Sequence, residues 1–232
     1  MANKIRSIFN KFGLDLHRYR HEPDKLVWIK NQNIKTVLDI GANTGQFASE
    51  IRGKLPEAQI YSFEPIKECF EKLVSQGEAL GKFEAFNFAL GEKAELKEMN
   101  KSAYTPSSSI LWMSDVHKKL FPHTQDHSIE QIKVKRLDDL GLRLEPEILI
   151  KVDVQGFEDK VISGGIETFK KAKVVLIENS FVELYEGQPL FDDIYGKLKG
   201  LGFVYKGSLQ QKLNKKTGEI ISEDSIFVRP KF

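Results

Sequence analysis

One cysteine stands in 232 residues, so no internal disulfide can form and a multi-cysteine zinc site is excluded. The lone Cys69 fits a reducing compartment, and the expectation is a cytoplasmic protein. Long apolar runs are missing too. The longest purely aliphatic stretch is Val174-Val175-Leu176-Ile177, far short of the ~20 apolar residues of a membrane span. Charge of one sign is equally scarce: 35 Lys and Arg against 33 Asp and Glu leave a net charge of +2 with no long basic stripe. Electrostatics therefore gives no reason to expect a nucleic-acid partner. No internal repeat, low-complexity block or linker divides the chain. What remains is a 41% hydrophobic composition, which excludes a disordered chain and fills the core of one sizeable domain.

Residues 1–20 combine Lys4, Arg6, Lys11, Arg18 and Arg20 with Ile5, Ile8, Phe9, Phe12 and Leu16 at spacings of three and four, which makes one helical face apolar. They lack the uninterrupted apolar stretch and small-residue cleavage site of a secretory signal. The expectation is a helical extension over 1–35, packed on the domain or on the partner subunit of a homodimer. Contact with an anionic membrane surface is the alternative use of such a face.

From Thr36 short strands alternate with helices. Strands are expected at Thr36 to Ile40, Gln59 to Glu64, Phe83 to Leu90, Ile148 to Val154 and Val174 to Asn179. Helices are expected at Gly45 to Leu55, from Pro65 to about Gln76, and at Glu158 to Phe169. This spacing predicts parallel βαβ units. Gly91 to Asn100 and Ile132 to Leu137 look like antiparallel additions around a Ser-rich loop, within an insertion at about 91–131. Phe203 to Tyr205 and Ser225 to Val228 flank Thr217-Gly218 as a hairpin, so the domain over 36–232 ends antiparallel.

The chemistry starts in the turn after the first strand, Asp39-Ile40-Gly41-Ala42-Asn43-Thr44-Gly45. Two glycines open a helix, but the G-x-G-x-x-G triplet that seats a pyrophosphate is absent, and Asp39 would repel one. A cationic, hydroxyl-bearing ligand suits the turn better. Glu64 closes the second strand, where a carboxylate accepts both hydroxyls of a ribose. S-adenosylmethionine meets both requirements. Gly45 serves either ligand approach or helix packing, and Glu64 either the ribose or a helix cap.

Taken in order, VLDIGANTGQFA (from Val37), YSFEP (from Tyr61), FNFALG, the Ser107-Ser108-Ser109 loop, RLDDL (from Arg136), ILIKVDVQGFEDKVISGG (from Ile148) and IENSFVELYEGQPLF (from Ile177) resemble the FkbM family of S-adenosylmethionine-dependent methyltransferases. The resemblance covers Thr36 to Phe203. It implies a class I, Rossmann-like three-layer α/β sandwich with a mostly parallel seven-stranded sheet and an antiparallel last strand. It also implies O-methylation of a hydroxyl on a sugar, a glycan or glycolipid, or another small natural product. Many members carry Glu where this chain has Gln155, so no charged role is carried over to that position. The expected cofactor-binding set is Asp39, Gly41, Ala42, Asn43, Gly45, Phe47, Glu64, Pro65, Ala89 and Leu90.

In Ile148-Leu149-Ile150-Lys151-Val152-Asp153 the two polar residues share one face of a buried strand, so they either pair with each other or face a site. Asp153 is the candidate base or acceptor-orienting group, with Lys151 tuning it and Glu178 beside it. Ser108, Ser109, Gln155 and Asn179 are the candidate acceptor contacts. Glu178-Asn179 also resembles the acid-amide pair that helps to hold magnesium in catechol-type O-methyltransferases, which is the alternative mechanism. The metal-free reading is preferred, because Lys151 would set a second cation beside the ion. A catalytically silent cofactor-binding module is the remaining alternative. His117, His123 and His127 fall in the insertion and are expected as solvated loop histidines, and Trp112 offers a sugar-stacking surface or packing.

Overall fold

The computed structural model describes residues 24–230, with residue 9 and residues 11–13; the helix expected over 1–20 lies almost entirely outside the described residues, as do His17 and His21. Seven strands form one sheet in the order β3-β2-β1-β7-β8-β10-β9. They are β1 (Thr36–Ile40), β2 (Gln59–Phe63), β3 (Phe83–Phe86), β7 (Ile148–Val152), β8 (Ala172–Ser180), β9 (Val204–Leu213) and β10 (Ile220–Val228). Only β10 runs antiparallel to its neighbours in this sheet. A second sheet, β4 (Ala89–Leu90), β6 (His127–Lys135) and β5 (Glu95–Ser102), carries the insertion.

The sheet is buried on both faces, which explains why its central strands are continuous apolar runs and do not alternate. All five residues of β1 are buried. On one face Ile40, Ile150, Val152 and Ile177 pack under α4 (Glu158–Gly164), α5 (Ile166–Lys171) and α6 (Phe191–Gly200). On the other, Val37, Leu149 and Leu176 pack against α1 (Gln46–Arg52) and against Leu26, Ile29 and Ile34. The remaining helices are α2 (Lys67–Gly77) and α3 (Asp115–Leu120).

Two expected elements are divided. The single strand over 83–90 is two strands in two different sheets, because the chain turns at Asn87, whose Nδ2 donates to the carbonyls of Glu64 (3.0 Å) and Pro65 (2.9 Å). The helix over 158–169 breaks at Gly164-Gly165, two poor helix formers in succession, and resumes to Lys171. Strand order reverses between β1 and β7, and in open α/β sheets ligands bind at the carboxyl ends beside such a switch point. Gly41, Glu64, Asp153 and Glu178 all stand on that edge.

Candidate active site

Gly41 leaves β1 with φ +79°, and a Cβ there would fall on the carbonyl oxygen of Asp153. The glycine therefore lets the first turn pass directly against the end of β7. The next turn residue, Asn43, is held at φ 48°, an uncommon conformation for a side chain that is not glycine. Its backbone N–H donates to Glu64 Oε2 at 2.8 Å, while the Ile66 N–H donates to Oε1 at 2.8 Å. Glu64 thus ties the first turn to the entry of α2. Burial pushes its carboxyl up to about 7, against the two backbone donors that favour its charge.

These residues open on a cavity of about 410 Å³. Of the expected cofactor set, Gly41, Ala42, Asn43, Phe47, Glu64, Pro65, Ala89 and Leu90 line it. Two do not. Gly45 (φ +97°) faces α2, where a Cβ would lie 3.1 Å from Leu73 Cδ1, so its role is packing between helices. Asp39 is fully buried beneath the cavity floor, with Ser62 Oγ 3.5 Å from its Oδ2 and Lys151 Nζ 3.9 Å from its Oδ1. Burial pushes Asp39 up to about 6 even with Lys151 beside it.

Lys151 sits opposite Asp39 across the β1–β7 ladder. Its Nζ donates to the Gly41 carbonyl and to Asp153 Oδ2, both at 3.3 Å. Burial opposes its charge, but Asp153 and Asp39 more than offset that and keep the ammonium protonated. Beyond it Gln155, in the left-handed region at φ 56°, donates from one nitrogen to Asp153 Oδ1 at 2.6 Å and to Glu178 Oε2 at 2.5 Å. The two carboxyls share one donor. Burial works against the Asp153 charge, yet Lys151, the Gln155 amide and Glu178 hold it below the ordinary aspartate value. Burial and the Asp153 charge push Glu178 up, against Lys212 at 3.4 Å. The two shifts run in opposite directions, so the pair titrates as a unit with the charge favoured on Asp153.

Three residues that the sequence did not mark as site residues support this centre. The Tyr185 hydroxyl lies 2.9 Å from Gln155 Oε1 and 3.1 Å from the Ser107 carbonyl. Glu158 Oε1 accepts from the backbone N–H groups of Val154 (3.2 Å) and Gly156 (3.1 Å), fixing the loop that carries Gln155. Asp224 lines the cavity and is bonded by Gln210 at 2.6 Å.

The expected acceptor contacts divide. Ser108 and Gln155 line the cavity. Ser109 does not; its hydroxyl donates to the Gln155 carbonyl at 2.6 Å and positions the loop from behind. Asn179 is also displaced, because neighbouring residues of a strand point to opposite faces and Glu178 takes the face toward Asp153. The Asn179 amide is buried on the opposite face from Glu178, with no partner for either polar atom among the described residues. His117 is not a solvated loop histidine. It is buried against Phe121 and Tyr185, its Nε2 is 3.0 Å from Thr124 Oγ1, and burial pushes it down to about 4. Trp112 is 52% exposed, lies edge-on to His127 and lines no cavity described here.

A second space, a groove of about 980 Å³, runs between α3 with its following turn and the β9–β10 hairpin. Asp153, Gln155 and Glu178 border both spaces. The cavity and the groove therefore meet at the carboxyl pair.

This sandwich, with its seven-stranded order and its site at the switch point, is that of the class I methyltransferases. It matches the structure of SMU.1697c from Streptococcus mutans in complex with SAH, at TM-score 0.50 and 9% identity over 91% of this chain and all of that one. The methyltransferase FkbM domain matches residues 39–205, and the chain belongs to that methyltransferase family. Among curated relatives it is similar to the 2-O-methyltransferase NoeI of Sinorhizobium fredii, 29% identical over 160 residues that span 66% of each chain. It is also similar to methyltransferase sdnD of Sordaria araneosa, 27% identical over 192 residues, or 72% of this chain and 73% of that one. Among the described residues no helix is long and apolar enough to cross a membrane.

Proposed function

We propose that this methyltransferase takes its methyl group from S-adenosylmethionine and transfers it to a hydroxyl of a sugar, a glycan or glycolipid, or another small hydroxylated natural product. The observation that carries the reading is the meeting of cavity and groove at Asp153, Gln155 and Glu178.

The residues around the smaller cavity fit such a cofactor. Glu64, buried and bordering the cavity, would accept the ribose hydroxyls; Pro65, Ala89 and Leu90 would give the adenine apolar contact; Gly41 and Ala42 would pass beneath the aminoacyl part. When bound, the cofactor supplies an electrophilic methyl carbon. The chain's own task is to orient the acceptor and remove its proton. Asp153 is 36% exposed and held from two sides by Lys151 and Gln155, which favour its charge, so an acceptor hydroxyl in the groove would meet a fixed carboxylate. The name of NoeI, a 2-O-methyltransferase, supports oxygen as the acceptor atom.

The test is incubation with methyl-labelled S-adenosylmethionine and separate pools of nucleic acid, protein and glycan extract from the source organism. Label is expected in the glycan or small-molecule pool. Label confined to nucleic acid or protein contradicts the proposal.

A further inference from the structure

We propose that the acceptor is an anionic saccharide, bound with its reacting hydroxyl on the groove floor and its carboxylate, sulfate or phosphate group at a lysine lip. This rests on the O-methylation reading above and names the substrate class for that same site. The groove, at about 980 Å³, stands at the upper end of small-molecule sites, which run to ~1,000 Å³, so it holds more than one sugar ring.

Its charges are segregated by exposure, with the acids buried or half-buried and Lys119, Lys215 and Lys216 exposed. The floor holds the acids Asp153, Glu178, Glu223 and Asp224. The mouth holds Lys119 on one wall and Lys215 and Lys216 on the hairpin. Lys212 is taken up by Glu178 at 3.4 Å, with its ammonium 5.7 Å from the Phe121 ring centroid. The other three form no ion pair among the described residues. The one acid at the hairpin tip, Glu219, is bonded to Thr217 at 2.8 Å and does not border the groove.

An anion is repelled from this floor and attracted to this lip, so an acidic saccharide has one favourable direction of entry and a neutral one lacks that constraint. Part of the wall is aromatic and apolar. Tyr104, 51% exposed and edge-on to His123 at 5.7 Å, stands with Phe121 and Pro122 where sugar rings would pass. Tyr104 thus takes the role that Trp112 offered in the sequence. The lysines cluster at one groove and are not spread along an open stripe, which favours a saccharide over nucleic acid.

The test begins by separating the glycan extract into acidic and neutral fractions by anion exchange and offering each with labelled S-adenosylmethionine. Label is expected in the acidic fraction. With that fraction as acceptor, the double variant Lys215→Gln with Lys216→Gln should raise KM about fivefold or more, as expected for losing two solvent-exposed charge contacts. It should leave kcat and the calorimetric Kd for SAH within about twofold of wild type. Raising salt from about 0.05 to about 0.3 M should raise KM for wild type more than for the variant. Label only in the neutral fraction, or an unchanged KM in the variant, overturns the anionic subsite while O-methylation stands. Label in no glycan fraction overturns the anionic saccharide, and label confined to nucleic acid or protein overturns both.

Discussion

The Tyr185 hydroxyl lies 2.9 Å from Oε1 of Gln155 and, together with the carboxyl pair at the other end, orients the amide. The other end of the amide meets Asp153 and Glu178, which hold at most one proton between them and need a donor. An amide turned over would oppose its oxygen to two carboxyl groups. Tyr185, buried and pushed well above the ordinary phenol value by its burial and by Glu178, stays protonated and can donate. Tyr185→Phe should therefore lower turnover about tenfold with the Kd for SAH unchanged, at a stability cost of about 1 kcal/mol, the net worth of one hydrogen bond. Steady-state kinetics and calorimetry read the two effects separately. Equal losses in turnover and cofactor affinity would argue against a positioning role.

The bridging amide also bears on metal dependence. Gln155 places a donor 2.6 Å and 2.5 Å from the two carboxyl groups. Chelator should leave turnover unchanged. Gln155→Glu replaces the shared donor with a third carboxylate, and should lower turnover and make the remainder respond to added Mg²⁺. Loss of wild-type activity in EDTA with recovery on Mg²⁺ would reverse this account in favour of the catechol-type mechanism.

Glu64 should govern cofactor affinity. Replacing it with Ala removes a charged acceptor worth ~1.5–3 kcal/mol per hydrogen bond, so the Kd for SAH should rise about tenfold or more. The pH dependence has a definite sign. Because burial pushes the free carboxyl up to about 7, lowering pH through that value protonates the acceptor, and binding must then expel a proton. Affinity should be level above pH 7 and fall toward tenfold per unit below it. Glu64→Gln should flatten the profile. A wild-type Kd independent of pH between about 5.5 and 8 would contradict the assignment.

Gly41→Ala tests the close passage of β1 over β7. The substitution combines a φ of +79° with a Cβ placed on the Asp153 carbonyl. A backbone conformation of that kind costs ~1–3 kcal/mol by itself, and the clash adds to it. A melting temperature lowered by several degrees, with poorer cofactor binding, is expected by calorimetry.

Much of the site is legible in the sequence because residues at strand ends are placed by chain order. Gly41, Glu64 and Asp153 each follow an apolar run, and a parallel sheet brings such ends to one edge. Strand parity carries further information: Lys151 and Asp153 share a face for that reason. The same parity sends Asn179 away from the site once Glu178 faces it. Asp39 does not border the cavity because it lies within a fully buried strand, beside Lys151. Tyr185 and Lys212 are invisible to local patterns. One is 30 residues from Gln155 and the other 34 from Glu178, and only the packed sheet edge brings them together. The division of the 83–90 strand depends on side-chain bonds from Asn87 to Glu64 and Pro65, which no periodicity records.

The central claim is that the carboxyl pair acts on the acceptor and not on the cofactor, and Asp153→Asn tests it most directly. Asparagine keeps the size of the side chain and removes the charge that Lys151 and Gln155 hold in place. Turnover of labelled methyl into the acceptor pool should fall ~10²-fold or more, the scale of positioned acid-base catalysis. The Kd for SAH, measured on the same preparation, should stay within about twofold. Turnover close to wild type would contradict the claim, and so would a loss of activity matched by an equal loss of cofactor binding.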